Sequence, residues 1–196
     1  MKKLLGILVL GLFLITPSQA DDINDFVIEG ISVGDSALDF FSKEEIKKNT
    51  YDYYKNKKYT PLQFNNVSFA KIFNSIDIRY KTSDPNYLIV SLSGIISYED
   101  KKDIEKCYSK LDEIVSDTKS LFSDSNIQFT DKFTQKFTEL EDNGKSTYTS
   151  VYFEFENGDM VTVQCYNYSD EADQNHLRLG VHTNDFLNFV NNEAYN

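Results

Sequence analysis

Along this chain the apolar positions switch between two spacings, alternating in some stretches and recurring every third or fourth residue in others. Residues 26–33 have the apolar density of a strand and stop at Gly34. Over 36–48, Ala37, Phe40, Phe41 and Ile46 recur at roughly helical spacing, which predicts a helix. Residues 51–64 are polar, tyrosine-rich and interrupted by Pro61, and read as an irregular arm. Strand-like runs follow at 67–73, 76–81 and 87–96, the last two separated by the turn residues Ser83-Asp84-Pro85-Asn86. A long helix is predicted over 99–122, with Ile104, Cys107, Leu111, Ile114, Val115, Thr118, Leu121 and Phe122 on one stripe.

Between 123 and 145 the pattern is weak, and a short helix over 132–140 ending at Asp142-Asn143-Gly144 is the expectation. Strands at 147–156 and 160–168 flank Asn157-Gly158, the strongest short hairpin signal a sequence offers. In the first of them Val151, Phe153 and Phe155 should face inward, and Tyr152, Glu154 and Glu156 outward. An acidic loop at 169–175, a strand at 176–182 and a terminal helix over 184–192 complete the order, with Phe186, Phe189 and Val190 inward. Hairpin-length connections demand antiparallel pairing. The expected fold is therefore α+β: one domain over 21–196, a mainly antiparallel sheet with helices packed on one face. "Helix, then three meandering strands" occurs twice and suggests a tandem pseudo-repeat.

The first twenty residues follow a different rule. Lys2 and Lys3 precede an apolar run from 4 to 15, and Ser18 and Ala20 supply the small residues of a cleavage site, so a signal peptide cut after Ala20 is expected. Twelve apolar residues fall short of the ~20 that span a bilayer. No later segment is apolar enough to serve as a membrane anchor. Loss of Lys2 and Lys3 leaves 18 basic against 31 acidic residues, a formal charge of −13. That charge repels phosphate backbones and anionic lipid, which disfavours nucleic-acid and membrane partners. Thirteen Tyr and fifteen Phe without a Trp point to an aromatic, β-rich core.

An exported chain is oxidised, and Cys107 and Cys165 are its only cysteines. Cys107 sits on the apolar stripe of the long helix, and Cys165 alternates with Val161 and Val163. A disulfide stapling helix to sheet is expected.

Candidate chemistry is sparse. Gly34-Asp35-Ser36 after an apolar strand, with Asp173-Gln174-Asn175-His176 near the end, has the spacing of a GDSL-type serine esterase using Ser36 and His176. The oxyanion glycine and the Gly-x-Asn-Asp block of those enzymes are missing, and their parallel sheet conflicts with tight hairpins. Ser36 reads better as a helix N-cap with Asp39 three residues on. Gly144-Lys145-Ser146-Thr147 ends like a phosphate loop, but Glu139 stands where its first glycine belongs. His176 and His182, six residues apart on a strand, are separated by about 20 Å and cannot share one metal. Residues 169–173 are acidic without the spacing of a calcium loop. Thirty-one acids hide any carboxylate pair. No catalytic, cofactor or metal residue is assigned.

The chain resembles a family of small exported proteins of unknown function from Pelagibacter-type marine bacteria. The matching stretches are Ile28-Glu29-Gly30-Ile31-Ser32-Val33-Gly34-Asp35-Ser36, Cys107-Tyr108, Asp112-Glu113-Ile114-Val115, Gly144-Lys145-Ser146-Thr147, Phe153-Glu154-Phe155, Gly158-Asp159, Cys165-Tyr166 and Asn192-Glu193-Ala194-Tyr195. The resemblance implies no activity and no functional residues. The functional expectation is a periplasmic or secreted, non-catalytic module that binds an envelope protein or a small ligand through a sheet face or loop. The Ser36–His176 esterase and a purely structural envelope protein are the alternatives. Amino-terminal sequencing of the exported protein should return Asp-Asp-Ile; full-length chain in the membrane fraction would contradict the leader.

Overall fold

A computed structural model describes residues 22–123, 126–137, 144–170 and 173–196. The expected leader and its cleavage point after Ala20 lie outside the described residues. The fold is α+β and mainly antiparallel.

The amino-terminal strand expected over 26–33 is a small hairpin instead: β1 (Val27–Ile28) and β2 (Ile31–Ser32) pair antiparallel. Glu29 and Gly30 form its two-residue turn with φ of 52° and 86°, the left-handed values such turns require. The Glu29 carboxylate then accepts the backbone N–H groups of Lys71, Ile72 and Phe73 at 3.0, 2.7 and 3.2 Å. Those bonds hold much of the stretch expected as a strand over 67–73 as irregular chain.

The helix expected over 36–48 is divided. Ser36 caps a 3₁₀ turn (Ala37–Asp39), and Ser42 starts α1 (Lys43–Asn49) with a reciprocal Ser42–Glu45 capping box. A second cap inside the periodic stretch ends one element and begins the next.

The tyrosine-rich arm ends in β3 (Tyr59–Asn65), an edge strand, which is where a sheet tolerates Pro61. β4 (Ser75–Lys81) and β5 (Ile89–Tyr98) follow, and then α2 (Ile104–Leu121). β6 (Gln128–Phe129) is short. β7 (Phe133–Lys136) replaces part of the helix expected over 132–140. There Phe133 and Phe137, four residues apart, fit one side of an extended chain paired with β8 as well as one side of a helix. Residues 138–140 lie outside the described set. β8 (Thr147–Glu154), β9 (Met160–Asn167), β10 (Asn175–His182) and α3 (Asn184–Asn192) close the chain.

The large sheet runs β3-β4-β5-β10-β9-β8-β6, with β7 also on β8. Two three-strand meanders thus meet along an eight-residue antiparallel seam between β5 and β10. The elements preceding the meanders differ: α1 has 7 residues beside β3, whereas α2 has 18 and packs across β9 and β10. The structure does not make the halves copies.

Register divides the sheet into two chemically distinct faces. Leu62, Ile78, Leu92, Val181, Val161 and Phe153 form one transverse row of the apolar face. The β1–β2 hairpin, α1 and α2 bury it, through residues such as Ile28, Ile31, Ile46 and Leu111. The Phe73 ring lies directly over Gly94 on this face, where any Cβ would collide with it. Cys107 of α2 and Cys165 of β9 are joined, S–S 2.02 Å and Cα–Cα 5.9 Å, tying the helix layer to the sheet.

The closed loop of 58 residues stabilises the fold by roughly 4 kcal/mol on chain-entropy grounds. Cys107→Ser with Cys165→Ser should lower the unfolding free energy by about that amount, measured by denaturant melts. Equal stability with and without the bond would contradict the staple.

Candidate functional site

The opposite face is polar, and much of it is buried. Its transverse rows contain Asp77, Ser93, Gly180 and Thr162; Arg79, Ser91 and His182; Arg178, Gln164 and Ser150; and His176, Tyr166 and Tyr148. The chain has two arginines and two histidines, and register puts all four on this face. Small residues at its centre make room for them. A Cβ on Gly180 would strike the His182 ring and the Thr162 hydroxyl.

Asp77 stands between the arginines. Its Oδ2 is ion-paired with Arg178 Nη1 at 3.1 Å and accepts a long hydrogen bond from Arg79 Nη2 at 3.5 Å. The Asp77 side chain is 2 % exposed and that of Arg79 8 %. Every nitrogen of Arg79 donates within the fold: Nε to the Tyr54 hydroxyl at 3.1 Å, Nη2 to the Tyr51 hydroxyl at 2.8 Å and Nη1 to the Ile78 carbonyl at 3.1 Å. Those two tyrosines belong to the arm that precedes β3, so the arm folds over the sheet to reach a guanidinium. α3 continues the cover, packing Phe186 and Phe189 on Tyr59 and Tyr54.

Farther across the face the rings stack. His176 lies on Tyr166 at 4.5 Å between centroids and 16° between planes, and Phe137 lies on Tyr168 at 5.3 Å. The Tyr166 hydroxyl donates to Gln164 Oε1 at 3.0 Å, and Gln164 Nε2 donates to Ser150 Oγ at 3.1 Å. Burial pushes the Tyr51 and Tyr166 phenols up to about 12, and raises Tyr54, Tyr152 and Tyr168 as well. All five remain hydrogen-bond donors at neutral pH.

Both histidines are neutral there. Burial, with the Arg178 charge added to it, lowers His182 to about 3 and, against the bond to the Gln174 carbonyl, His176 to about 4. His182 Nδ1 meets Ser91 Oγ at 2.8 Å, and its ring faces Phe186.

Two buried atoms of the charged cluster have no hydrogen-bond partner, Asp77 Oδ1 and Arg178 Nε; a third such atom on the sheet is the Tyr59 hydroxyl. Arg178 is the accessible member of the cluster, its side chain 25 % exposed.

The other sequence candidates are engaged elsewhere. Ser36 Oγ donates to the Asn86 carbonyl at 2.7 Å and accepts from the Leu38 N–H at 3.2 Å. Ser36 bridges Leu88 at one end of β5 while His176 pairs with Ser97 near the other, nine residues and about 30 Å away. The structure does not bring them together. His176 Nδ1 donates to the Gln174 carbonyl at 3.1 Å. Ser146, in the phosphate-loop-like turn, accepts the Ser169 N–H at 2.9 Å and leads into β8. In the acidic loop, carbonyls of Tyr168, Asp170 and Asp173 accept from the Lys101 ammonium, so a side chain of the protein fills the place of a cation. Residues 171 and 172 lie outside the described set. Asp77, Arg79 and Arg178 were not singled out by sequence; the available signal was charge inside strands whose neighbours on the same face, Ser91, Ser93 and Gly180, are small.

No family model, no curated protein and no solved structure matches the chain. Among the described residues no helix is long and apolar enough to cross a membrane.

A base whose pKa is depressed on folding binds its proton more tightly unfolded. Stability is then fully present above the unfolded value near 6.5 and falls as pH drops toward the folded values of about 4 and 3. Between pH 6.5 and 5, above the range where ordinary carboxylates titrate, the unfolding free energy should decline by at most about 1.4 kcal/mol per pH unit for each histidine. His182→Gln should make that slope shallower. An unchanged slope in the variant would contradict a buried neutral imidazole.

Proposed function

We propose that this chain is an exported, non-catalytic binding module that recognises a small ligand or an envelope protein with the polar face of its sheet. The observation that carries the reading is the charged cluster. A buried layer serving only as structure closes its own hydrogen bonds, whereas here Asp77 Oδ1 and Arg178 Nε are left with bonding capacity, and Arg178 is open to solvent. The separation of Ser36 from His176 supports a role without serine chemistry. The disulfide supports an oxidising compartment, periplasmic or secreted, as does the leader expected before Asp21. The resemblance to small exported proteins, drawn from the sequence alone, would accord with this reading and adds no ligand.

The test is comparative capture. Immobilised mature protein and its Arg178→Ala variant are incubated with the same cell-envelope extract, and retained small molecules and proteins are identified by mass spectrometry. The wild type should retain a component that the variant loses. Identical retention by both proteins, or none by either, would overturn the reading.

A further inference from the structure

Resting on the reading of the polar face as a recognition surface, but not on its charged cluster, we propose that the aromatic end of that face binds a neutral polysaccharide. Register aligns Gln135, Tyr148, Tyr166 and His176 across β7, β8, β9 and β10. Phe133, Ser150, Gln164 and Arg178 form the row beside them. Each row spans three strand spacings, about 14 Å, the reach of a short oligosaccharide. Gln135 is exposed, and Tyr148, Phe133 and Gln164 are half-buried, so both rows meet solvent. α3 and the tyrosine arm cover the other end of the face, around Tyr59 and Arg79.

The chemistry along the rows selects the partner. They contain no carboxylate, and their one cation, Arg178, is paired with Asp77. The Tyr166 phenol and the His176 ring are neutral there. An uncharged surface on a strongly negative chain suits an uncharged partner, and the chain as a whole repels acidic polymers. Ring and polar group also interleave. The Tyr148 hydroxyl donates to Gln135 Oε1, Gln164 Nε2 donates to Ser150 Oγ at 3.1 Å, and the Phe133 ring meets Tyr152 edge-on at 5.2 Å. A protein interface instead gathers apolar area at its centre and polar groups at its rim. A neutral glycan matches the interleaved pattern, because each sugar ring sets apolar C–H surface beside hydroxyls that both donate and accept. Tyrosine answers both with an apolar ring and a polar tip. The bond from Tyr148 fixes the Gln135 amide, whose Nε2 has no acceptor among the described residues and is left to donate to a sugar oxygen. The rows form an open surface and not a pocket, which suits a polymer lying across the strands rather than a small molecule that needs enclosure.

Affinity electrophoresis of the oxidised mature protein in native gels tests the class directly. The gels carry hydroxyethyl cellulose, laminarin, dextran or galactomannan as neutral polymers, and alginate as the acidic one. At least one neutral polymer should retard the wild type, and alginate should not. Tyr148→Ala and Gln135→Ala should each weaken that retardation at least about fivefold in apparent Kd, the loss expected for one contact, while keeping the wild-type unfolding transition. Should Tyr148→Ala fail to fold, Gln135→Ala decides. Retardation by none of the four neutral polymers, retardation by alginate alone, or undiminished retardation of the folded variants would overturn the inference. So would sedimentation in which Tyr148→Ala splits a wild-type dimer, the mark of a second copy on this face. Such results leave the binding-module reading standing wherever comparative capture still shows an Arg178-dependent component.

Discussion

A carboxylate that is 2 % exposed must find positive charge within the fold, and Asp77 finds it on both sides. That requirement organises the polar half of the molecule. Asp77 and Arg79 come from β4 in the first meander and Arg178 from β10 in the second, so the ion cluster straddles β5 and the seam where the meanders meet. Arg79 in turn draws Tyr51 and Tyr54 over the sheet, and Tyr54 with Tyr59 forms the apolar seat of α3. Replacing such buried ions by apolar groups is often neutral, whereas removing one partner strands the others and is costly. The cluster thus contributes specificity of arrangement more than stability.

The two faces solve different problems. On the apolar face, aliphatic rows and α2 supply hydrophobic burial, and the disulfide constrains the unfolded chain. On the polar face, hydroxyls and amides bond one another across the strands, and unpartnered buried atoms remain at Asp77, Arg178 and the Tyr59 hydroxyl.

Much of this was legible in the sequence, for physical reasons that also mark where it was not. Strands β8, β9 and β10 and helices α2 and α3 carry long, clean periodicity or an Asn-Gly turn, and emerged close to their observed bounds. Short elements did not. A Glu-Gly turn split β1 from β2, Ser42 interrupted an apparently continuous helix, and β3 was hidden by Pro61, which only an edge strand accepts. The polar face was illegible for a different reason. Alternation assigns one set of side chains inward and implies that the other meets water. Parts of that face are covered because α3 and the tyrosine arm return to Tyr59, and the Phe133 and Phe137 rings to Tyr152 and Tyr166, from distant parts of the chain. No local pattern announces such long-range cover.

The buried Asp77 carboxylate and the partly exposed Arg178 guanidinium form the ion pair that orders this face. The most direct test of that pairing is a double-mutant cycle in unfolding free energy, with Asp77→Asn, Arg178→Gln and the double variant at pH 7. The structure predicts a coupling energy of about 1–3 kcal/mol, as for charged groups in contact within one hydrogen-bond network. Additive single effects, with coupling below about 0.3 kcal/mol, would show that the pair does not order the face.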